Sequence, residues 1–264
     1  MATHVAPIER TTPSELSPAK VTEVYTTYWR FAGERQQVFM RRLRDARGPW
    51  TTDPILGTFK FTNAYRASDR VSQYLIRRVI YRDDLPSSGD EVLFRILLFK
   101  LFNKIETWET LERAFGAITL RGYRFDRYDP VLTNAMARGE RIYSAAYIMP
   151  PGGHAFGHVT KHQNHLRLLE MMLKDRLAGK LARSKSMQQA FECLRAYPTI
   201  GDFLAYQFVT DINYSELADF SEMEFVVPGP GARDGIRKCF SNYGGLNEPE
   251  LIRLISDLQE QEFE

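Results

Sequence analysis

One stretch restricts the fold more than any other: Asp90 to Asn103, DEVLFRILLFKLFN. It is apolar on nearly every side of a helix, with none of the alternation a half-buried strand shows. Such a segment must be enclosed by other elements, so it predicts a central buried helix. The remaining chain supplies helices to enclose it. Ser17 before Pro18 is a helix start. The helix that follows turns Val24, Tyr28, Phe31, Val38 and Phe39 inward and ends near Gly48-Pro49. AYRASDRVSQYLIRRVIY is strongly periodic, with Tyr65, Val71, Tyr74, Leu75 and Val79 facing the core. Thr107 caps TWETLERAFG, and Asp129-Pro130 reads as an N-cap with proline at the first helical position. Ser186 with Gln189, and Asn247 with Glu250, form capping boxes. IYSAAYIM reads as strand or helix alike. The expectation is an all-α fold, with residues 1–17 a flexible tail and residues 18–264 a single helical domain.

Hydrophobic content of 44% and charged content of 26% over 264 residues are those of a globular protein. A net charge of +2 excludes a polycation, so any nucleic-acid role must rest on a local basic face. One such face is the outer side of the first helix, with Arg35, Arg41, Arg42, Arg44 and Arg47. Cys193 and Cys239 are too few for a disulfide framework and too far apart for a zinc ribbon, and read as buried free thiols. The N-terminus lacks the apolar core of a signal peptide, and no apolar run approaches the roughly 20 residues that cross a bilayer. A cytoplasmic protein without a membrane partner is expected. GxxxxGK[ST] is absent, which excludes a P-loop kinase, and no cofactor is implied.

Polar residues concentrate in three places. Arg66, Asp69, Arg70 and Gln73 follow at i, i+3, i+4 and i+7, one stripe of a continuous helix. His154, His158 and His162 are spaced by four, with His165 beyond. Two of them plus a carboxylate could hold zinc. However, Pro150 to Gly153 delay the helix start and no Glu follows as in HExxH, so no metal is assigned. Near a helix N-terminus, His158, His162 and Lys161 can instead meet a phosphate or a base. The third place is Leu194 to Lys238. There a tight turn, Tyr197-Pro198-Thr199-Ile200-Gly201, opens a helix with Ile200, Leu204 and Phe208 on its buried side and Ala205 allowing close approach. A polar, acid-bearing connection follows. It ends at Gly229-Pro230-Gly231, which starts another helix whose free N–H groups, with Arg233, Arg237 and Lys238 behind them, suit an anion.

The turn and its helices resemble the helix-hairpin-helix of helical DNA glycosylases. The usual Pro-Gly-x-Gly appears as Pro198-Thr199-Ile200-Gly201. The lysine of lyase-type members is replaced by Phe203, which argues against Schiff-base chemistry there. The catalytic aspartate of that motif falls close to Ser221, bracketed by Asp219, Glu222 and Glu224. Taken together, FTNAYRASDRVSQYLI, LFRILLFKLFN with ETW, YPTIGDFLAYQFVTDINYS and EFVVPGPGARDGI resemble one family over roughly residues 25 to 245. It is the helical domain of 5-hydroxymethyl-deoxyuridine DNA kinases and the α-glutamyl/putrescinyl-thymine pyrophosphorylases.

The resemblance implies a glycosylase-like helical fold acting on a 5-hydroxymethyluracil-type base in double-stranded DNA, where an amine or amino acid displaces a phosphorylated group. The family's kinase members add a nucleotide-binding module absent from this sequence. On this reading Asp219, Glu222, Glu224 or Asp211 supplies the carboxylate. Asn63, Asp69, Gln73, Asn213, Tyr214, His158 and His162 read or position the base. Arg66, Arg70, Thr199, Gly201, Gly229, Gly231, Arg233 and Lys238 hold phosphates. Two alternatives stand beside transfer: a monofunctional glycosylase excising a modified pyrimidine, and a DNA-binding module without chemistry of its own.

Overall fold

From Leu16 the chain enters a two-residue strand, Lys20–Val21 (β1), and then a long helix, Glu23–Arg44 (α1), in a computed structural model that describes residues 16–145 and 148–263. The expected tail, up to residue 15, lies outside the described residues. A short helix, Pro54–Thr58 (α2), follows α1. Next come Arg70–Tyr74 (α3), Gly89–Phe102 (α4), Ile105–Phe115 (α5), Phe125–Ala137 (α6), Gly153–Phe156 (α7), Lys161–Lys174 (α8), Leu177–Ala182 (α9), Met187–Arg195 (α10) and Asp202–Ile212 (α11). Pro230–Cys239 (α12), Phe240–Asn242 (β2), Glu248–Asp257 (α13) and Gln259–Glu262 (α14) complete the chain. The fold is all-α apart from this antiparallel ribbon, in which Lys20 faces Asn242 and Val21 faces Phe240. No helix among the described residues is long and apolar enough to cross a membrane.

The residues gather into two compact units, one running to Asp69 and resuming at Val226, the other spanning Arg70–Phe225. The single domain expected over residues 18–264 takes in both units.

In the first unit α1 starts later than Ser17 because β1 takes the preceding residues. Thr22 caps it, its hydroxyl accepting from the Val24 N–H at 3.2 Å. The buried face is therefore Tyr25, Trp29 and Ala32, while Val24 and Tyr28 are exposed, a correction to the expected stripe. Tyr25 and Trp29 pack with Ile236, Phe240, Leu251 and Leu258 into one core. Gly244, at φ 64°, admits no side chain, since a Cβ would strike the carbonyl of Pro18.

In the second unit α4 is enclosed as expected: Leu93, Phe94, Ile96, Leu97, Leu98 and Leu101 are at most 1% exposed. Each such side chain contributes about 1.5–3 kcal/mol by leaving water. Its Arg95 is buried too, and donates to the carbonyls of Val79 at 2.8 Å and Pro86 at 2.8 Å. Val79 lies in the last turn of a π-helical segment, Leu75–Ile80, and Pro86 in the loop that follows, so the guanidinium satisfies one carbonyl of an irregular helix end and ties the loop to it.

Three expected elements differ. The helix through residues 64–81 is broken. Arg66–Ser68 is a 3-10 turn and Asp69 is extended (ψ 149°). The Ser68 hydroxyl donates to the Tyr65 carbonyl at 2.7 Å and the Asn63 amide to the Ser68 carbonyl at 2.7 Å, local bonds that compete with the helix ladder. Secondly, α6 begins at Phe125, leaving Pro130 inside it, because Tyr128 gains a stack on Phe115 with centroids 4.4 Å apart. Thirdly, the described residues of IYSAAYIM are neither strand nor helix; Ala146 and Tyr147 lie outside the described residues.

Candidate functional site

The turn between α10 and α11 keeps the shape of a glycine-bearing hairpin without the glycine. Thr199 sits at φ 68°, a left-handed conformation that β-branched residues avoid. Its hydroxyl is buried with no hydrogen-bond partner. Gly201 is the N-cap of α11, exposed and with no side chain capping the helix. The first-turn acid Asp202 is drawn to Arg195 at 3.1 Å. An uncapped helix start of this kind offers N–H groups to an anion.

The histidine-rich loop lies against the same turn. At Gly152 (φ 71°) a Cβ would come within 3.1 Å of Asn164 Cβ and 3.6 Å of Thr199 Cγ2, so only glycine allows this approach. Asn164, buried, fixes the loop: its amide donates to the carbonyls of Pro151 (2.8 Å) and His158 (2.9 Å), and its oxygen accepts from the His158 N–H (3.0 Å). The His158 ring stacks on Phe125, centroids 5.5 Å apart, and the Arg167 guanidinium lies 3.5 Å from that phenyl centroid. His162 is buried, with Nε2 at 2.8 Å from Asp129 and 3.0 Å from Thr133. Gln163 also donates to Asp129 (2.9 Å), so this carboxylate joins α6 to α8 rather than capping α6. His154 and His158 lie outside α8, and the three histidines spaced by four do not share a helix.

His165 is held by two contacts. Nε2 donates to the Pro150 carbonyl at 2.8 Å, which leaves Nδ1 to accept from the Tyr143 hydroxyl at 2.8 Å. Burial pushes its pKa down to about 4, and the same burial raises that of Tyr143. Lys161 Nζ lies 4.3 Å from the Tyr143 ring centroid, and burial lowers its pKa.

The four candidate acids separate into two kinds. Asp211 is 1% exposed and ion-paired with Lys100 of α4, whose Nζ also donates to Asn103 Oδ1 at 2.8 Å. Asp219, Glu222 and Glu224 are exposed. None of those three stands in the desolvated setting that tunes a general base.

The expected base-reading and phosphate-holding residues fall in both units. Asn213 closes its own loop, donating to the Phe220 carbonyl and accepting its N–H, both at 2.9 Å, so both ends of the amide are occupied. Tyr214 follows it, half-buried. Arg70, exposed, and Gln73, half-buried, belong to α3 in the second unit, whereas Asn63, Arg66 and Asp69 belong to the first. The break at Asp69 removes the expected single stripe. In the first unit Gly229 caps α12, Pro230 and Gly231 form its first turn, Arg233 pairs with Glu248 at 3.2 Å and Lys238 with Asp234 at 2.7 Å. All are surface pairs that an incoming phosphate can exchange cheaply.

Sequence reasoning missed a cleft of about 620 Å³ in the second unit, lined by Tyr74, Arg78, Arg82, Glu109 and Glu112. Arg82 bridges Asp84 (2.7 Å) and Glu112 (2.9 Å), and burial, with Glu112 and Glu109 nearby, raises the Tyr74 pKa to about 12. The signal is the run of arginines followed by acids in YLIRRVIYRDD, to which the sequence reading gives no role. Among the described residues no group of three His, Cys, Asp or Glu side chains is placed to hold a metal.

Comparison with known proteins follows the same outline. The family described as "5-hmdU DNA kinase, helical domain" matches residues 22–264. A protein of Bacillus phage SP10 named 5-hmdU DNA kinase is 25% identical over 246 residues, covering 88% of this chain and 38% of that protein. The chain thus spans well under half the length of this relative. No solved structure matches it.

Proposed function

Because the chain belongs to the 5-hmdU DNA kinase helical-domain family, we propose that it engages DNA at a 5-hydroxymethyluracil-type base turned out of the stack and acts in transfer at that base's methylene. The observation that carries this reading is the match itself, which runs through both compact units rather than a single motif. In the second unit, the Thr199–Gly201 turn and the open start of α11 suit a phosphate beside the flipped nucleotide. In the first, the start of α12 with Arg233 suits another, while Arg66, and Lys238 at the far end of α12, offer separate cations. The transfer breaks the methylene C–O bond of a phosphorylated base, the phosphate leaving with the electron pair. An amine forms the new C–N bond and gives up a proton to Asp219, Glu222 or Glu224. Excision of the base has no support in the relatives and is set aside.

A second reading is favoured by a specific observation. Three of the candidate acids are exposed and the fourth is held by Lys100, which suits a DNA-engaging module whose chemistry resides elsewhere. Nucleoside mass analysis separates the two. Hydroxymethyluracil DNA, phosphorylated or not, is incubated with the chain and a mixture of amines. A mass change with the sugar retained supports transfer; binding that prefers the modified base, with no mass change, supports the module. Binding indifferent to the modification, with no product, sinks both.

A further inference from the structure

Residues 50–62 of the first unit lie lengthwise on α1. Arg41 Nη1 donates to the Trp50 carbonyl at 2.7 Å, and the Thr51 hydroxyl to Glu34 at 2.7 Å. Arg35 donates to the Thr62 carbonyl, and Phe61 meets the Phe31 ring edge-on at 5.1 Å. These contacts fix the backbone, yet the large apolar side chains remain in water. Phe59 is 63% exposed, Phe61 45%, Ile55 55%, and Leu43 on α1 68%. Single exposed apolar residues need no explanation; several on one stretch do.

Charge on this stretch is equally lopsided. Residues 30–61 hold seven cations against three carboxylates, while the rest of the chain holds 28 against 30. The Arg42 guanidinium rests 5.0 Å from the Trp50 ring centroid, an arrangement that orders it while leaving its N–H edge available. Lys60 is exposed, and Arg47 pairs with the less exposed Asp45 at 3.0 Å in a surface pair that costs little to exchange.

We infer that this face of the first unit binds single-stranded DNA, with Phe59 and Phe61 as platforms for unpaired bases and Arg42, Arg47 and Lys60 on the phosphates. The surplus of cations selects a polyanion over an apolar protein partner. Exposed phenyl rings select unpaired bases, because a duplex hides the base faces they would stack on. The inference deepens the DNA reading above by naming the strand state that it would hold. It requires no modified base and no chemical step.

The test is fluorescence anisotropy of the full chain with a labelled, unmodified oligothymidylate of about 16 nucleotides. Three phosphate contacts give a log–log salt slope of about −2 for a single strand. Phe59→Ala and Phe61→Ala should each weaken binding about tenfold, and Arg42→Glu with Arg47→Glu should flatten the slope. Tyr81→Ala, at an exposed aromatic of the second unit, should change nothing. Should Phe59→Ala melt early, Lys60→Glu and Arg47→Glu carry the test in its place. Affinity unchanged in the face variants, a duplex bound as tightly as the single strand, or equal loss in Tyr81→Ala overturns the assignment. So does a salt-insensitive dimer in sedimentation that Phe59→Ala dissociates, since a second copy would then cover the face. Because the oligonucleotide carries no modification, this result is independent of the mass analysis that tests the transfer reading.

Discussion

Lys100 and Asp211 meet between α4 and α11 with neither side chain more than 5% exposed. An ion pair this dry is strongly destabilising to break, because the surviving charge has no water to turn to. Asp211→Asn should lower unfolding free energy by about 3–5 kcal/mol, read from urea titration. Lys100→Met combined with Asp211→Leu should return close to the parent value. A stable Asp211→Asn protein that loses only product formation would place Asp211 in the chemistry instead.

Thr199 gives a prediction of opposite sign. Thr199→Gly removes a β-branched side chain from a left-handed conformation and a buried hydroxyl from a site without a partner. Glycine's larger chain entropy offsets part of the gain. A net stabilisation of about 1 kcal/mol is expected, some 2–4 °C in a thermal melt. Thr199→Val should bring no relief of the backbone. A lower melting temperature for the glycine variant would show that the Thr199 side chain holds the turn.

His165 sets a pH dependence. Its pKa in the fold lies at about 4 against an ordinary 6.5, through burial, so the unfolded chain binds this proton at higher pH than the folded one. Stability is complete above about pH 6.5 and falls by about 3 kcal/mol as pH drops toward 4. Lys161, Tyr143 and His162 face or neighbour the ring and stay in place in a His165→Gln variant. That variant should show a shallower loss between pH 6.5 and 4 in urea titrations. An unchanged slope would assign the acid sensitivity elsewhere.

Asp219→Asn together with Glu222→Gln addresses the proposed transfer. Both carboxylates are exposed, so the fold and the DNA affinity should be unaffected, within about 0.5 kcal/mol. Product in the mass assay should vanish if either acid takes the amine proton. Undiminished product removes both from the mechanism.

Legibility in the sequence tracked how local each determinant is. Asp90–Asn103 announced its burial by composition alone, and the capping box of Asn247 and Glu250 is present at 3.0 and 2.7 Å, because both depend on neighbours within one turn. The face of α1 was misread because β1 pairs with residues more than two hundred positions away, a contact no periodicity can display. Arg66 and Arg70 were placed on one helix because their spacing fits, whereas Asn63 and Ser68 use their side chains to end the helical run between them. At Thr199 the missing glycine was visible but its consequence was not. The surrounding packing holds the glycine conformation regardless, and Gly152 supplies the close approach from the other side. The roles of Asp211 and Asn213 were out of reach for a similar reason: their partners, Lys100 and Phe220, are chosen by the tertiary path.

The first unit is assembled from two stretches of chain separated by the whole of the second. On the ribosome, α1 therefore emerges long before Ile236, Phe240, Leu251 and Leu258 exist to cover Tyr25 and Trp29. Arg70–Phe225 can reach its native packing while the polypeptide is still being extended, whereas its companion must wait until Val226 and the residues after it have been added. Until then the indole of Trp29 is an open invitation to chaperones.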